Sequence, residues 1–506
     1  MKNSFISIDL GTTNIKAVVY DGSFREASSV SIKVNYDRKG DFVEFDAEEY
    51  WHVCARCIRE ALVSSELDPG SVASIALTGQ AESLVVLDRK GRPLRKAVSW
   101  LDERSREECD IIRREFGADE GYQITGLPDV VTTWPVTKML WIKRNEPGLF
   151  GRAYRYLLIK DYIIFKMTGL FVSEYSVCSF TYYFNIVEKR YWRGILDFIG
   201  IGEDQLPELL EPGKKAGPVS AEAARELGLP EGVSVNTGAL DHFAGMVGAG
   251  NIAEGGLSET TGTVMAIATL IKKPLINEFR LHCHCSAIRG SYALLPVCES
   301  GGISLEWFRD NFYPGTDFSK INADVEARIE EPNNVIFLPY LTGANSPEFN
   351  QDAAGVFYGL KIRNNKADLV RAVMEGIAFL LRKNIDHMAR MGISVDTIVS
   401  LGGGSKSEVW NRMKADVTGK KIMIPENGEA TSLGGAMLAA VEAGIFRDLE
   451  EASSRLVRFS DVYEPEKRGD YERNYEVFSE LYERLDPLFR KTARFQTGVR
   501  DDHKQQ

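Results

Sequence analysis

No run of apolar residues in this 506-residue chain approaches the roughly 18 that a membrane-crossing helix needs. Positive charge is not in excess either: 61 Lys and Arg stand against 72 Asp and Glu, a formal net charge of −11. The basic face that carries nucleic-acid binding is therefore missing, and an anionic membrane surface is an unsuitable partner for the same reason. A phosphorylated ligand is not excluded, because such sites rely on local N–H groups and a metal rather than on net charge. Cysteine is scarce and odd in number. Seven scattered cysteines do not make a disulfide framework. The segment Met1 to Leu10 has no signal-peptide core, so a reducing, cytoplasmic location is expected. Also lacking are a low-complexity linker, a short-period repeat and the G-x-x-x-x-G-K-[ST] phosphate loop.

What is present reads as a large globular α/β protein. The chain is 44% hydrophobic and 26% charged, and its length predicts two or more domains. Phe5 to Ile8 and Ile15 to Tyr20 read as strands around a polar Asp9–Asn14 turn, a hairpin rather than a strand–helix pair. Asp46 and Glu49 form a capping-box pattern before a helix to about Ser65. Strands are expected at Val72–Leu77 and Leu84–Leu87, and helices at Asp102–Phe116 and Val136–Asn145. Val233 to Gly238 is a strand running into a glycine, with Asp241 just after it. Leu257 to Ala268 repeats the shape of the first hairpin. This echo suggests two related domains, 1–245 and 246–506. Farther on, Ile398–Leu401 is a strand, Gly402–Ser405 a glycine-rich turn, and Ser407–Val417 a helix. Ser432–Ala443 is an Ala/Gly-rich helix able to approach a neighbouring backbone closely. Lys467 to about Arg490 is a charged amphipathic helix, and the last residues read as disordered.

Turns rich in Gly and Thr suit phosphate, since glycine admits close N–H approach and threonine adds hydroxyl donors. Two such turns, Gly11–Thr13 and Gly262–Thr263, could grip phosphates, and Asp9 could hold Mg²⁺ directly or through water. Gly402–Gly404 could let a base or ribose lie against backbone. Any one of these is weak alone, since Gly and Thr are ordinary turn residues.

Longer motifs sharpen the reading. They are Asp9-x-Gly11-Thr12-Thr13-x-x-Lys16; Thr78-Gly79-Gln80; Trp100-x-Asp102-x-Arg104; Pro135-x-x-Lys138-Met139-x-Trp141; and Gly238-x-x-Asp241. To these add Gly262-Thr263, Gly301-Gly302 through Trp307-x-Arg309-Asp310, Gly402 to Gly419, and Ala430 to Gly444. With these segments the chain resembles, over nearly its whole length, the FGGY family of carbohydrate kinases, which includes xylulokinase, ribulokinase, gluconate kinase and glycerol kinase. The resemblance implies an actin-like ATPase architecture, with two ribonuclease-H-like domains and a cleft between them.

The resemblance also implies an ATP-dependent kinase acting on a small sugar or polyol, with Mg²⁺. Asp241 is the expected base, and with Asp9 the expected metal-side carboxylate. Gln80, Glu82, Trp100 and Asp102 are expected to build the sugar pocket. Gly11, Thr12, Thr13, Lys16, Gly262, Thr263, Gly301, Gly302, Gly403, Gly404 and Ser405 are expected on the ATP side. Departures bear on the sugar. Ala81-Glu82 stands where many xylulokinases carry Met-His, a glutamate there being more like glycerol kinase. Ala344-Asn345-Ser346-Pro347 replaces a common Glu-Arg-Thr-Pro, and Thr133 departs from the first signature. A ketopentose is the first expectation, with a polyol or sugar acid beside it. A non-catalytic nucleotide-binding sensor is the reading from another class, and Asp241 argues against it. Dimers are common among similar kinases, so a homodimer stays open.

Three features are set aside. His282-Cys283-His284-Cys285 alternates across a strand and offers only one pair per face, short of a closed zinc site. Cys54 and Cys57 fall mid-helix, and His242 reads as a structural neighbour of Asp241.

Overall fold

The computed structural model describes residues 3–276, 278–466 and 469–496. The opening strands Ser4–Leu10 and Asn14–Tyr20 pair antiparallel around the Gly11–Thr13 turn, the hairpin the sequence predicts. Strand Ser4–Leu10 is almost continuously buried because both its faces are covered, as in parallel sheets generally. Its other neighbour is Val72–Gly79, in parallel, and beyond that runs Ser234–Leu240, also parallel. Lys215–Pro218 and Glu26–Lys33 close the two edges of this six-stranded sheet.

Two compact units make up the chain. The first comprises Met1–Ile252, Leu270–Leu294 and Glu429–Val457; the second Ala253–Thr269, Leu295–Gly428 and Arg458–Gln506. By chain contacts, the segments 270–294 and 429–457 group with the N-terminal part. The helix Ala430–Glu442 packs on the helix Asp241–Gly248 and on strands Ser4–Leu10 and Val72–Gly79 of the first unit. Small residues permit this: a Cβ on Gly434 would stand 1.8 Å from the Ala244 carbonyl oxygen. The expected close approach of this helix is met, but its partner lies nearly two hundred positions upstream, where no local pattern points.

The second unit repeats the hairpin. Gly256–Thr261 and Met265–Ile271 pair antiparallel, Thr397–Leu401 joins Gly256–Thr261 in parallel, and Lys421–Pro425 follows in parallel. Each unit has its own core. One is built around Ile6, Ile8, Trp51, Ile75 and Val235, the other around Leu257, Phe337, Ile377, Trp410 and Phe478.

Asp46 caps the helix Ala47–Ser65 by accepting from the Glu48 and Glu49 N–H groups, and Ser407 caps Glu408–Thr418. The helix expected from Asp102 begins instead at Arg106, because Asp102 and Arg104 are clasped together ahead of it. The C-terminal helix runs Gly469–Gln496. Lys467, where it was expected to start, and residues 497–506 lie outside the described residues.

Candidate active site

Three parallel strand ends converge in the first unit. Asp9 is in register with Thr78, and Thr78 with Ala239, so Asp9, Gln80–Glu82 and Asp241 all emerge at the carboxyl ends of adjacent strands. That edge is where open α/β sheets bind ligands. The last strand reaches it through a bulge between Asn236 and Ala239. Gly238 sits in that bulge at φ 57°, and a Cβ there would lie 2.0 Å from the Leu77 carbonyl oxygen. Only glycine fits, which explains the spacing Gly238-x-x-Asp241.

Asp241 opens the helix Asp241–Gly248. Its Oδ1 accepts the adjacent His242 N–H at 2.6 Å, not an N–H two or three residues on as a capping aspartate would. Asp9 is more unusual. Its Oδ1 is buried with no hydrogen-bond partner. Burial, helped by the nearby Asp241 charge, pushes its carboxyl up to about 7 against the opposing pull of Lys16. A buried carboxylate without a partner beside a second carboxylate suits a hard divalent cation with oxygen ligands. Lys16 does not extend from the turn unpaired; its Nζ meets Glu429 Oε2 at 2.5 Å.

Glu82 and Lys138 form the charged side of this region. Burial pushes Glu82 up to about 7, opposed by Lys138 and reinforced by Asp241. Burial likewise pulls Lys138 down to about 8, opposed by Asp102 and Glu82. Lys138 Nζ donates to the Thr133 carbonyl at 2.8 Å. The motif Pro135-x-x-Lys138 was the signal for this lysine, although sequence reasoning gave it no role.

The remaining expected sugar contacts divide. Trp100 Nε1 donates to Thr12 Oγ1 at 2.8 Å, tying its ring to the Gly11–Thr13 turn. Gln80 spends its amide nearby. Its Nε2 donates to the Gly11 carbonyl (3.4 Å) and the Tyr36 hydroxyl (3.3 Å), and its Oε1 accepts from Ser83 Oγ. Asp102 is fully buried. It takes both arms of Arg104 (2.7 and 2.6 Å) and the Val43 N–H (2.6 Å). Arg104 in turn stacks over Phe42 and Trp141. Both Asp102 oxygens are thus engaged by Arg104 and the Val43 N–H, on the segment that carries Trp100.

In the second unit the glycine clusters meet around one turn. Gly302 and Gly301 donate backbone N–H groups to the carbonyls of Gly262 (2.6 Å) and Thr263 (3.1 Å). Gly404 lies so close that a Cβ would stand 2.7 Å from Thr261 Cβ. Gly262, Thr263, Gly301, Gly302, Gly403 and Gly404 thus form one patch, with Ser405 turned back to the Gly402 carbonyl at 2.8 Å. Ser300 and Ser304, flanking Gly301–Gly302, keep buried hydroxyls with no partner; a polar ligand such as a nucleotide suits them. Beneath the patch, Lys414 and Glu259 form a fully buried ion pair that also engages Ser400. Thr261 Oγ1 donates to Glu259 Oε2 at 2.6 Å. Nothing local in the sequence announces this network, whose members are spread from 259 to 414.

Within the His282–Cys285 segment, Cys283–Cys285 forms a short strand. His284 stacks flat on Phe180, centroids 3.7 Å apart, with Nδ1 against the Ser179 carbonyl at 3.3 Å. Burial holds His282 down at about 4 and His284 well below its ordinary range, so both are neutral at pH 7. All seven cysteines are buried and unpaired.

The matches to known families agree with this construction. The model for the N-terminal domain of the FGGY family of carbohydrate kinases matches residues 4–248, and that for its C-terminal domain matches 259–443. The chain belongs to this family: it is a sugar kinase, a phosphotransferase with ATP as phosphate donor, on the two-domain FGGY fold of the actin-like ATPase type. Among its relatives, a xylulose kinase from Staphylococcus epidermidis is 30% identical over 493 residues, covering 96% of this chain and 98% of that one. A ligand-bound xylulose kinase from Lactobacillus acidophilus superposes with a TM-score of 0.90 at 26% identity, covering 97% and 99%. A gluconate kinase from the same organism gives the same values. Among the described residues, no helix is long and apolar enough to cross a membrane.

Proposed function

We propose that this kinase phosphorylates a ketopentose, D-xylulose or D-ribulose, on a primary hydroxyl, with Asp241 as the base and Mg²⁺ held by Asp9 and Asp241. The observation that carries the roles is the pairing of a lightly bonded Asp241 with an Asp9 whose buried oxygen has no partner. Carboxylates left in that state suit a reacting hydroxyl and a cation. Magnesium would neutralise charge on the phosphates during transfer. Asp241 accepts the hydroxyl proton as the new bond to the γ-phosphorus forms and the bond to the β,γ-bridging oxygen breaks, releasing ADP. Transfer through a loose transition state needs positioning more than a strong base.

Glu82 contacts sugar hydroxyls, beside the aromatic face of Trp100. Gln80 and Asp102 act on the sugar side by holding the Gly11 turn and the Trp100 segment in place. The N–H groups and hydroxyls of Gly11, Thr12 and Thr13 serve phosphate, with Lys16 nearby; the patch of Gly262, Thr263, Gly301, Gly302, Gly403, Gly404 and Ser405 serves ATP. The protein works in the cytoplasm.

The relatives' names favour xylulose. The gluconate kinase likeness and Glu82 favour an acid or polyol as the second reading. Charge favours the neutral sugar. A sugar acid would bring a further negative group to a region where burial already disfavours charge on Asp9 and Glu82, with Lys138 the buried counter-charge, and a like-charged neighbour a few ångströms off costs on the order of kcal/mol. A neutral sugar avoids that cost. A coupled ADP-release assay over ketopentoses, polyols and sugar acids, with mass detection of product, tests this. D-xylulose or D-ribulose should lead. A sugar acid far ahead of both would overturn the substrate assignment.

A further inference from the structure

The segment that presents Asp241 is fastened from beneath by a buried charged cluster. Lys160 and Glu174 are both fully buried and meet at 2.6 Å, Nζ to Oε1. Lys160 Nζ also donates to the Thr237 carbonyl at 2.9 Å. Glu174 caps the short helix Tyr175–Cys178, accepting the Ser176 N–H at 2.5 Å through Oε2. Ser176 Oγ donates to Glu174 Oε1 at 2.8 Å and accepts the Leu240 N–H at 2.9 Å. One chain of contacts therefore grips both ends of the segment from Thr237 to Leu240. Between those ends lies Gly238, whose own N–H goes to Asn236 Oδ1 at 2.8 Å. Asp241 is the next residue after Leu240.

The polarity of this cluster is fixed by elementary bookkeeping of protons. The Leu240 N–H can only donate, so the Ser176 oxygen must accept there. The single hydroxyl proton must then point to Glu174, which as a carboxylate can only accept. The charge on Glu174 is in turn balanced by Lys160. Removing the Ser176 hydroxyl takes this acceptor from the Leu240 N–H and breaks the link between Glu174 and the segment. A buried ion pair is weak support for stability, because desolvation offsets its attraction. Its value here lies in where it leads.

We propose that Lys160, Glu174 and Ser176 are positioning residues for phosphoryl transfer: they fix the backbone from Thr237 to Leu240 and thereby aim the Asp241 carboxylate. This rests on Asp241 being the base. A misplacement of the order of 1 Å in a reacting group can cost about a hundredfold in rate, while binding of either substrate through other residues persists.

Ser176→Ala is the decisive variant, since it deletes one hydroxyl and leaves the ion pair in place. Activity with D-xylulose, or D-ribulose if that is turned over faster, is measured beside sugar and ATP binding by calorimetry and the thermal midpoint. The expected result is a kcat lowered by about tenfold or more, with both affinities within about twofold of the parent and the midpoint little moved. An unchanged kcat overturns the proposal, as does a loss of kcat matched by equal losses of both affinities, which marks a general structural role. Asp241→Asn runs in parallel. If it retains turnover, the base assignment fails and this inference with it. If it is inactive while Ser176→Ala keeps full activity, only the positioning role fails.

Discussion

The two hairpin turns are built alike and charged differently. In each unit an antiparallel hairpin closes on a Gly/Thr turn, and its first strand has a parallel neighbour on the other side. In the first unit the acid leading into the turn, Asp9, has a buried oxygen with no partner and a carboxyl pushed up to about 7. In the second the acid leading into the turn, Glu259, is fully buried but satisfied by Lys414, Ser400 and Thr261. A paired buried acid serves the frame. An acid left without a partner at the end of a strand costs stability, and a group brought from outside can offset that cost. On the proposed roles, the contrast separates a reacting acid from one that supports the glycine patch.

Substitutions at the two acids' partners should split along this line. Lys414→Met leaves the Glu259 charge buried and uncompensated, and a loss of about 3–5 kcal/mol is expected in denaturant unfolding of the second unit. Asp9→Asn should do the reverse: activity falls by about a hundredfold or more, while the ligand-free thermal midpoint is not lowered. Equal destabilisation by both would erase the distinction.

Glu82 gives an intermediate effect and a pH signature. Its folded value, about 7, lies above the ordinary 4.5, so the native state binds the extra proton. That contribution to stability is fully present below about pH 4.5 and is lost as pH rises through about 7. Glu82→Gln should therefore stabilise the ligand-free protein relative to the parent at pH 8 more than at pH 5, and raise the KM for sugar by about tenfold. Thermal scans at the two pH values check the first part. The smallest effect is expected from Trp100→Phe, which removes the 2.8 Å bond to Thr12 while keeping an aromatic face. One such bond is worth about 1 kcal/mol, or roughly a fivefold loss in kcat/KM.

Local chemistry made some of this legible in sequence and hid the rest. The hairpins could be read because a Gly/Thr turn between two apolar runs is a local signal, and the family motifs named Asp9 and Asp241 directly. The discontinuous first unit could not be read: the small residues of Ala430–Glu442 announce close packing but not what they pack on. At Asp102 the sequence held a further cue, an acid two residues before an arginine, and the local clasp it suggests is present. Lys160, Glu174 and Ser176 stand close in sequence, but Leu240, which gives them meaning, is 64 positions beyond Ser176. Buried ion pairs of this kind are set by tertiary packing and leave no periodic trace.

The most direct test of the whole account is the turnover of D-xylulose and D-ribulose by Asp241→Asn, with ATP and sugar binding measured on the same preparation. The account predicts both ligands bound nearly as in the parent and phosphorylation reduced by about 10²–10⁴-fold. Substantial residual turnover in that variant would contradict it.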